Sequence, residues 1–288
     1  YNRHMKILLD YITNKGGIST TDKKTLINFF TYISNTDGNG YAGNSLWTVY
    51  SAINANYQKV TGKKMQRLFN LSKVMRNLTK DHVPVKANTF TKEDLSKIFD
   101  GGLLDIDNPL HLESLVGGIL SIYGLLRQNE LLRITKKLVS KMLRESTAGE
   151  DMTCDYPWAT KTRKTGFAFR IPARFCYLFE MYLGQLDENV KDKARFLKNM
   201  NIKSKKRSQN LGERKVNQFP KLWGRLLGYD KKFIKGLTSH SFCRTADTIL
   251  TNSGTDMINL KRMGRWSSEK CVEGYINKSE ALQISRMQ

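Results

Sequence analysis

The chain is 288 residues long and carries 48 Lys and Arg against 26 Asp and Glu, a net charge of +22 with its four histidines neutral. Aliphatic, aromatic and Cys residues make up 40% and there are 21 glycines, close to the globular average of about 45–50% apolar, which excludes disorder and a collagen-like rod and predicts one large or two ordinary domains. The charge exceeds what solubility asks of such a chain and calls for a polyanionic partner.

The chain opens at Tyr1 with neither Met nor a signal-peptide pattern, which predicts a piece of a longer protein that works inside cells. Leu26, Ile27, Phe30 and Ile33 recur at helical spacing. Leu46, Val49, Tyr50, Ile53 and Tyr57 do so again behind a cap at Asn44 or Ser45, and Leu68, Leu71, Met75 and Leu78 follow. Together these predict a four-helix module over residues 1–83. The polar stretch around Pro84 predicts a linker over 84–90, and Thr91 with Asp94 resembles a capping box that opens a second domain over 91–288.

In that domain the uncharged run Leu115 to Leu126 is shorter than the about 20 apolar residues that cross a bilayer. It reads as a buried helix, and no membrane partner is expected. Phe167-Ala-Phe-Arg-Ile171 alternates and ends at Pro172, behind Lys161-Thr-Arg-Lys164-Thr-Gly166, which predicts a small antiparallel sheet whose turn carries lysines. Ten Lys or Arg against two acids between Lys191 and Lys215 predict a mobile basic loop, with Lys205, Lys206 and Arg207 as DNA contacts or a nuclear address. The four cysteines, Cys154, Cys176, Cys243 and Cys271, lack the spacing and His partners of a zinc finger, so neither a disulfide framework nor a metal site is expected.

Phosphate chemistry without a metal needs guanidinium or imidazole donors for the oxygens, a nucleophile, and an acid for the leaving oxygen. The carboxyl half offers each. Arg127, in Gly124-Leu-Leu-Arg127-Gln-Asn-Glu130, sits where the apolar helix meets solvent, with Glu130 three residues on as its orienter. His240-Ser-Phe-Cys243-Arg244 opens another helix, and Tyr275 stands nine residues after Trp266. Taken singly each has an ordinary reading: a packing Tyr275, a capping His240, a core Trp266, a solvated helix end at Arg127. Their joint order and spacing outweigh those readings.

In that order the boxes resemble the tyrosine recombinases. Their motif is an Arg in a G-L-R-x-x-E-like box, a Lys in a β-turn, His-x-x-Arg, then a His or Trp nine residues before the nucleophilic Tyr. The chain is most similar to the eukaryotic branch encoded by Crypton-type transposons, through Ser45-Leu-Trp-Thr-Val-Tyr-Ser-Ala-Ile53, Lys86-Ala-Asn-Thr-Phe-Thr-Lys-Glu93 and the run from His240 to Tyr275, so that the resemblance covers nearly the whole sequence. It implies a mainly α fold: an N-terminal helical core-binding domain of the SAM-like, four-helix kind, and a mostly α catalytic domain with a small antiparallel β-sheet.

The resemblance also implies roles. Tyr275 attacks a scissile phosphate to leave a 3′-phosphotyrosine and a free 5′-hydroxyl. Arg127 and Arg244 hold the non-bridging oxygens, His240 and Trp266 orient the phosphate, and Lys164 protonates the leaving oxygen. Lys164-Thr-Gly before Ile171-Pro172 matches the family's interval; Lys161 is the alternative and otherwise a DNA contact. The implied partners are double-stranded DNA and further copies of the chain, a dimer per site and a tetramer in synapsis, in the nucleus if the host is eukaryotic. No cofactor is implied, because the phosphotyrosine keeps the bond energy for rejoining.

One position departs from the pattern. Cys243 stands where the family has its second Arg, and on a helix turning about 100° per residue Arg244 points about 100° away from it. Arg244 replaces the missing group only by bending round. Three readings therefore stay open: an active recombinase or transposase, an inactivated or domesticated relative that binds DNA, and a type IB topoisomerase.

Overall fold

A computed structural model describes residues 2–35, 40–65, 69–82, 86–160, 165–201 and 203–265. The chain divides into two compact units, Tyr1–Val85 and Lys86–Gln288. The first holds α1 (Asn2–Lys15), α2 (Lys23–Ser34), α3 (Gly43–Thr61) and α4 (Phe69–Leu78). Their apolar faces meet on Leu8, Phe29, Phe30, Val49 and Leu71, the burial that makes short helices stable. Asp22 caps α2 by accepting from the Thr25 amide at 2.7 Å. The cap of α3 is Ala42, without a side-chain bond, rather than Asn44 or Ser45. Packing explains the earlier start: a Cβ on Gly43 would meet the His82 ring at 2.6 Å, so close approach rather than a capping side chain fixes the first turn.

The second unit is mostly helical with two small antiparallel sheets. The segment 86–90, expected as a linker, is hydrogen-bonded into it. The Asn88 amide donates to Gly236 O at 3.0 Å and its side chain to Phe233 O at 2.7 Å, while the Phe90 amide donates to Thr245 Oγ1 at 2.9 Å. The predicted capping box is present at α5 (Lys92–Phe99), with Thr91 and Asp94 bonded reciprocally at 2.9 and 3.1 Å.

The spine is α6 (Pro109–Tyr123), capped by Asn108 with Pro109 in its first turn and buried from Leu112 to Ile122. Its small residues admit aromatic rings: a Cβ on Gly117 would meet Phe219 at 2.7 Å, and one on Gly118 would meet Trp223 at 2.5 Å. After α6 come α7 (Gln128–Leu131) and α8 (Lys136–Glu145), then β1 (Met152–Tyr156) paired antiparallel with β2 (Phe167–Ile171). The expected alternation over Phe167–Ile171 is seen on β2, with Ala168 and Arg170 exposed and Ile171 buried, and β1 alternates as well, with Met152, Cys154 and Tyr156 buried. Lys161 and Lys164, between these strands, lie outside the described residues. Then follow α9 (Cys176–Gly184), β3 (Lys198–Met200) paired with β4 (Arg207–Asn210), α10 (Glu213–Val216), α11 (Phe219–Leu226), α12 (Lys231–Lys235), α13 (His240–Asn252) and α14 (Met257–Met263). Helices α9, α11 and α13 pack on α6.

The basic stretch corrects the expectation of a mobile loop, because β3 and β4 form within it. It also corrects Arg207 as a DNA contact. Arg207 is fully buried, its guanidinium 2.7 Å from Glu113 of α6 and donating to Gln185, Lys198 O and Pro109 O, with the Tyr182 ring beneath it. A carboxylate on the buried face of α6 needs a cation, and β4 delivers one. Lys215 approaches the other Glu113 oxygen at 2.9 Å. Burial still holds the Glu113 carboxyl above its ordinary pKa, against the pull of Lys215 and Arg207. Lys205 is exposed and Lys206 partly so. Among the described residues, no helix is long and apolar enough to cross a membrane.

Candidate functional site

Arg127 is aimed by the turn that ends α6. Leu125 adopts a left-handed conformation, φ 46°, uncommon for a residue with a Cβ, and the chain then enters α7 with Arg127 as its N-cap. Glu130 closes that end: one carboxylate oxygen accepts from the Arg127 amide at 3.0 Å and the other from Arg127 Nη1 at 3.1 Å. The expected partnership of the two is present as a cap rather than as a helix-face pair. The Glu130 carbonyl in turn accepts from the buried Tyr156 hydroxyl at 3.3 Å, and burial pushes that phenol up to about 12.

His240 begins α13, exposed, its amide donating to Thr238 Oγ1 at 3.3 Å. Partial desolvation, then the charges of Arg127 and Arg244, hold its pKa below the ordinary value. Its imidazole is therefore neutral at physiological pH, able to donate or accept a hydrogen bond. Arg127 and His240, 113 positions apart in the sequence, line one open pocket of about 460 Å³ with Gln128, Arg133, Ala159 and Thr160. A guanidinium beside an imidazole at a solvent-open mouth is suited to an anion with several oxygens.

Cys243 is not among the described residues that line this pocket. Its thiol lies 3.5 Å from Leu125 O and 3.8 Å from Asp247, one turn on, and burial raises its pKa, so it remains a neutral thiol. Arg244 is close enough to act on His240 and Asp247 electrostatically, but is not among the described residues that line the pocket. Trp266 and Tyr275 lie outside the described residues, as do Lys161 and Lys164.

The sequence reading missed two residues. Asp247 is 1% exposed, and burial pushes it up to about 7, against the Cys243 hydrogen bond and the charges of Arg127, Arg244 and Arg265. A pKa raised on folding stabilises most below the unfolded value, and that contribution is lost as the pH climbs through about 7. Asp247→Asn therefore stabilises the protein more at pH 8 than at pH 5, by at most about 3 kcal/mol. Urea unfolding at the two values measures it, and an equal effect at both would contradict a strained carboxylate. The signal in the sequence was an acid four residues after Cys243 on a helix.

The second missed residue is Arg265. Its side chain is 2% exposed, with Nη1 donating to Gly124 O at 3.1 Å and Nη2 to Leu125 O at 2.5 Å and Glu130 at 3.1 Å. Its Cζ lies 3.8 Å from the centre of the Phe167 ring. Among the described residues no His, Cys, Asp and Glu are grouped so as to hold a metal ion.

No protein-family model matches this sequence, and no curated protein matches it. Solved structures do resemble it. The Tn1549 transposon integrase in complex with circular intermediate DNA is 15% identical with a TM-score of 0.63, over 100% of this chain and 92% of that one. The same integrase with transposon right-end DNA is 14% identical with a TM-score of 0.62, over 99% and 90%. The XerH site-specific recombinase bound to difH substrate, a pre-cleavage complex, is 14% identical with a TM-score of 0.52, over 100% and 84%.

Proposed function

From the tyrosine recombinase fold that this chain shares with those structures, we propose that it is a DNA strand transferase that cuts and rejoins duplex DNA through a 3′-phosphotyrosine. Tyr275 is the nucleophile. Arg127 binds the non-bridging oxygens of the scissile phosphate, neutral His240 hydrogen-bonds one of them, Trp266 orients the group and Lys164 protonates the departing 5′-oxygen. Arg244, which does not line that pocket among the described residues, serves as a second guanidinium only if DNA draws it in. The observation that carries the reading is the meeting of Arg127 and His240 at one pocket, on a fold shared with integrases described in complex with DNA.

The excess of 22 positive charges suits a DNA duplex, with exposed Lys205 and partly exposed Lys206 as contacts or a nuclear address and Lys161 as a further contact. Action as a dimer per site and a tetramer in synapsis, and kinship with Crypton-type elements, belong to the same proposal and rest on the sequence boxes. A second reading, a DNA-binding relative without cleavage, is favoured by Cys243, a neutral thiol where the family motif has an arginine.

A nicked suicide duplex separates the two. The recombinase forms a protein–DNA adduct that survives denaturation. Cys243→Arg raises its rate about tenfold or more, because restoring one preorganised donor is worth about 10²–10³ at best, and Asp247 one turn on is placed to hold the new guanidinium. No adduct from either protein would leave the binding reading standing alone. Relaxation of supercoiled DNA by the monomer would point to a topoisomerase instead.

A further inference from the structure

All the Nη hydrogen bonds of Arg265 that the described residues show go to the segment that aims Arg127. One nitrogen donates to Gly124 O at 3.1 Å, the other to Leu125 O at 2.5 Å and to Glu130 Oε2 at 3.1 Å. That same Glu130 oxygen accepts from the Arg127 amide, while its twin accepts from Arg127 Nη1. The turn being held is a strained one, since Leu125 is left-handed, and among the described residues its carbonyl meets, besides Arg265, the weak thiol donor of Cys243. The guanidinium also rests against Phe167, the first residue of β2, which comes after Lys161 and Lys164 in the sequence. Arg265 itself is left-handed, φ 53°, a conformation that a residue with a Cβ keeps only where its surroundings hold it.

With 2% of its side chain exposed, Arg265 is too deeply enclosed to serve as a phosphate ligand. We infer that Arg265 is a positioning residue for strand cleavage: its buried guanidinium fixes the Leu125 turn and the Glu130 carboxylate, which together point Arg127 at the scissile phosphate. The inference rests on the recombinase reading. It places a guanidinium beside Cys243, where the family motif loses one, but in a supporting role. Without it, Glu130 keeps a single cation and the Leu125 carbonyl keeps a thiol, so the Arg127 fork is free to turn away from the phosphate.

The test uses the full chain with R265Q, R265K and E130Q. Adduct formation on the nicked duplex is followed in single turnover at saturating protein, and DNA affinity is measured separately. R265Q cleaves about 10²-fold more slowly, the loss expected from misplacing a reacting group by an ångström, with unchanged affinity. R265K keeps the charge without the planar fork and falls between, and it carries the test if R265Q does not fold. Because Arg265 acts in part through Glu130, the loss in the R265Q/E130Q protein is smaller than the product of the two single losses. Cleavage at the parent rate by R265Q or R265K, a loss located wholly in affinity, or losses that multiply in the double variant overturns the inference alone. No adduct from the parent chain or from Cys243→Arg overturns the recombinase reading, a different and distinguishable result.

Discussion

Tyr275→Phe forms no covalent adduct with a nicked duplex, and Arg127→Ala forms it about 10²–10³ times more slowly than the parent chain. The first follows from chemistry: phenylalanine has no oxygen to attack phosphorus, and no other residue inherits the step. The tyrosine hydroxyl has an ordinary pKa near 10, so it reacts at neutral pH only where nearby cations stabilise its anion and the charge building on the phosphate. Arg127 is a cation that the fold holds at the pocket, since Glu130 bonds both its backbone amide and its side chain. An alanine there leaves the phosphate one donor short and the Glu130 carboxylate, among the described residues, paired with Arg265. Arg127→Lys keeps a charge but not the two parallel donors, and recovers only part of the rate. Denaturing gels with labelled duplex measure the adduct; a phenylalanine variant that still becomes DNA-linked would remove Tyr275 from the mechanism.

Arg207→Ala lowers the unfolding free energy by about 3–5 kcal/mol, because it strands a buried carboxylate. Glu113 and Arg207 are both inaccessible and 2.7 Å apart. The alanine leaves Glu113 with Lys215 alone at 2.9 Å, and leaves the carbonyls of Pro109 and Lys198 without their guanidinium donor. Lys205→Ala, on the exposed side of the same basic run, changes stability by no more than about 0.5 kcal/mol. Paired replacement by Glu113→Leu and Arg207→Met is much milder than either single loss, since it removes both charges together. Chemical denaturation of the four proteins checks this, and an Arg207→Ala protein as stable as its parent would show that the pair contributes nothing.

Much of this was written in the sequence and some was not, for reasons that can be named. The helix repeats around Leu26 and Leu46 and the Thr91 box are local, so they were readable. So was the tie between Arg127 and Glu130, because three residues is one turn of chain. Arg207 was misread because a run of basic residues does not declare which member a distant carboxylate will claim. Glu113, a lone acid at the head of an apolar helix, was the clue, 94 positions away. Arg265 escaped because its partners Gly124, Leu125 and Glu130 lie far off in the sequence, and Asp247 because its tie to Cys243 is local but the burial that raises it comes only with folding. The start of α3 was misplaced because the His82 ring, rather than a capping side chain, decides it.

The stitching of residues 86–90 to α12 and α13 bears on where the polypeptide can be divided. Asn88 closes the end of α12 through Phe233 and Gly236, and Phe90 occupies the hydroxyl of Thr245, five residues beyond His240. A fragment begun at Thr91, where the helix motif would invite the cut, strips the Asn88 bonds from the end of α12 and the Phe90 bond from α13, the element that presents the imidazole. One begun at Lys86 carries its own fastening.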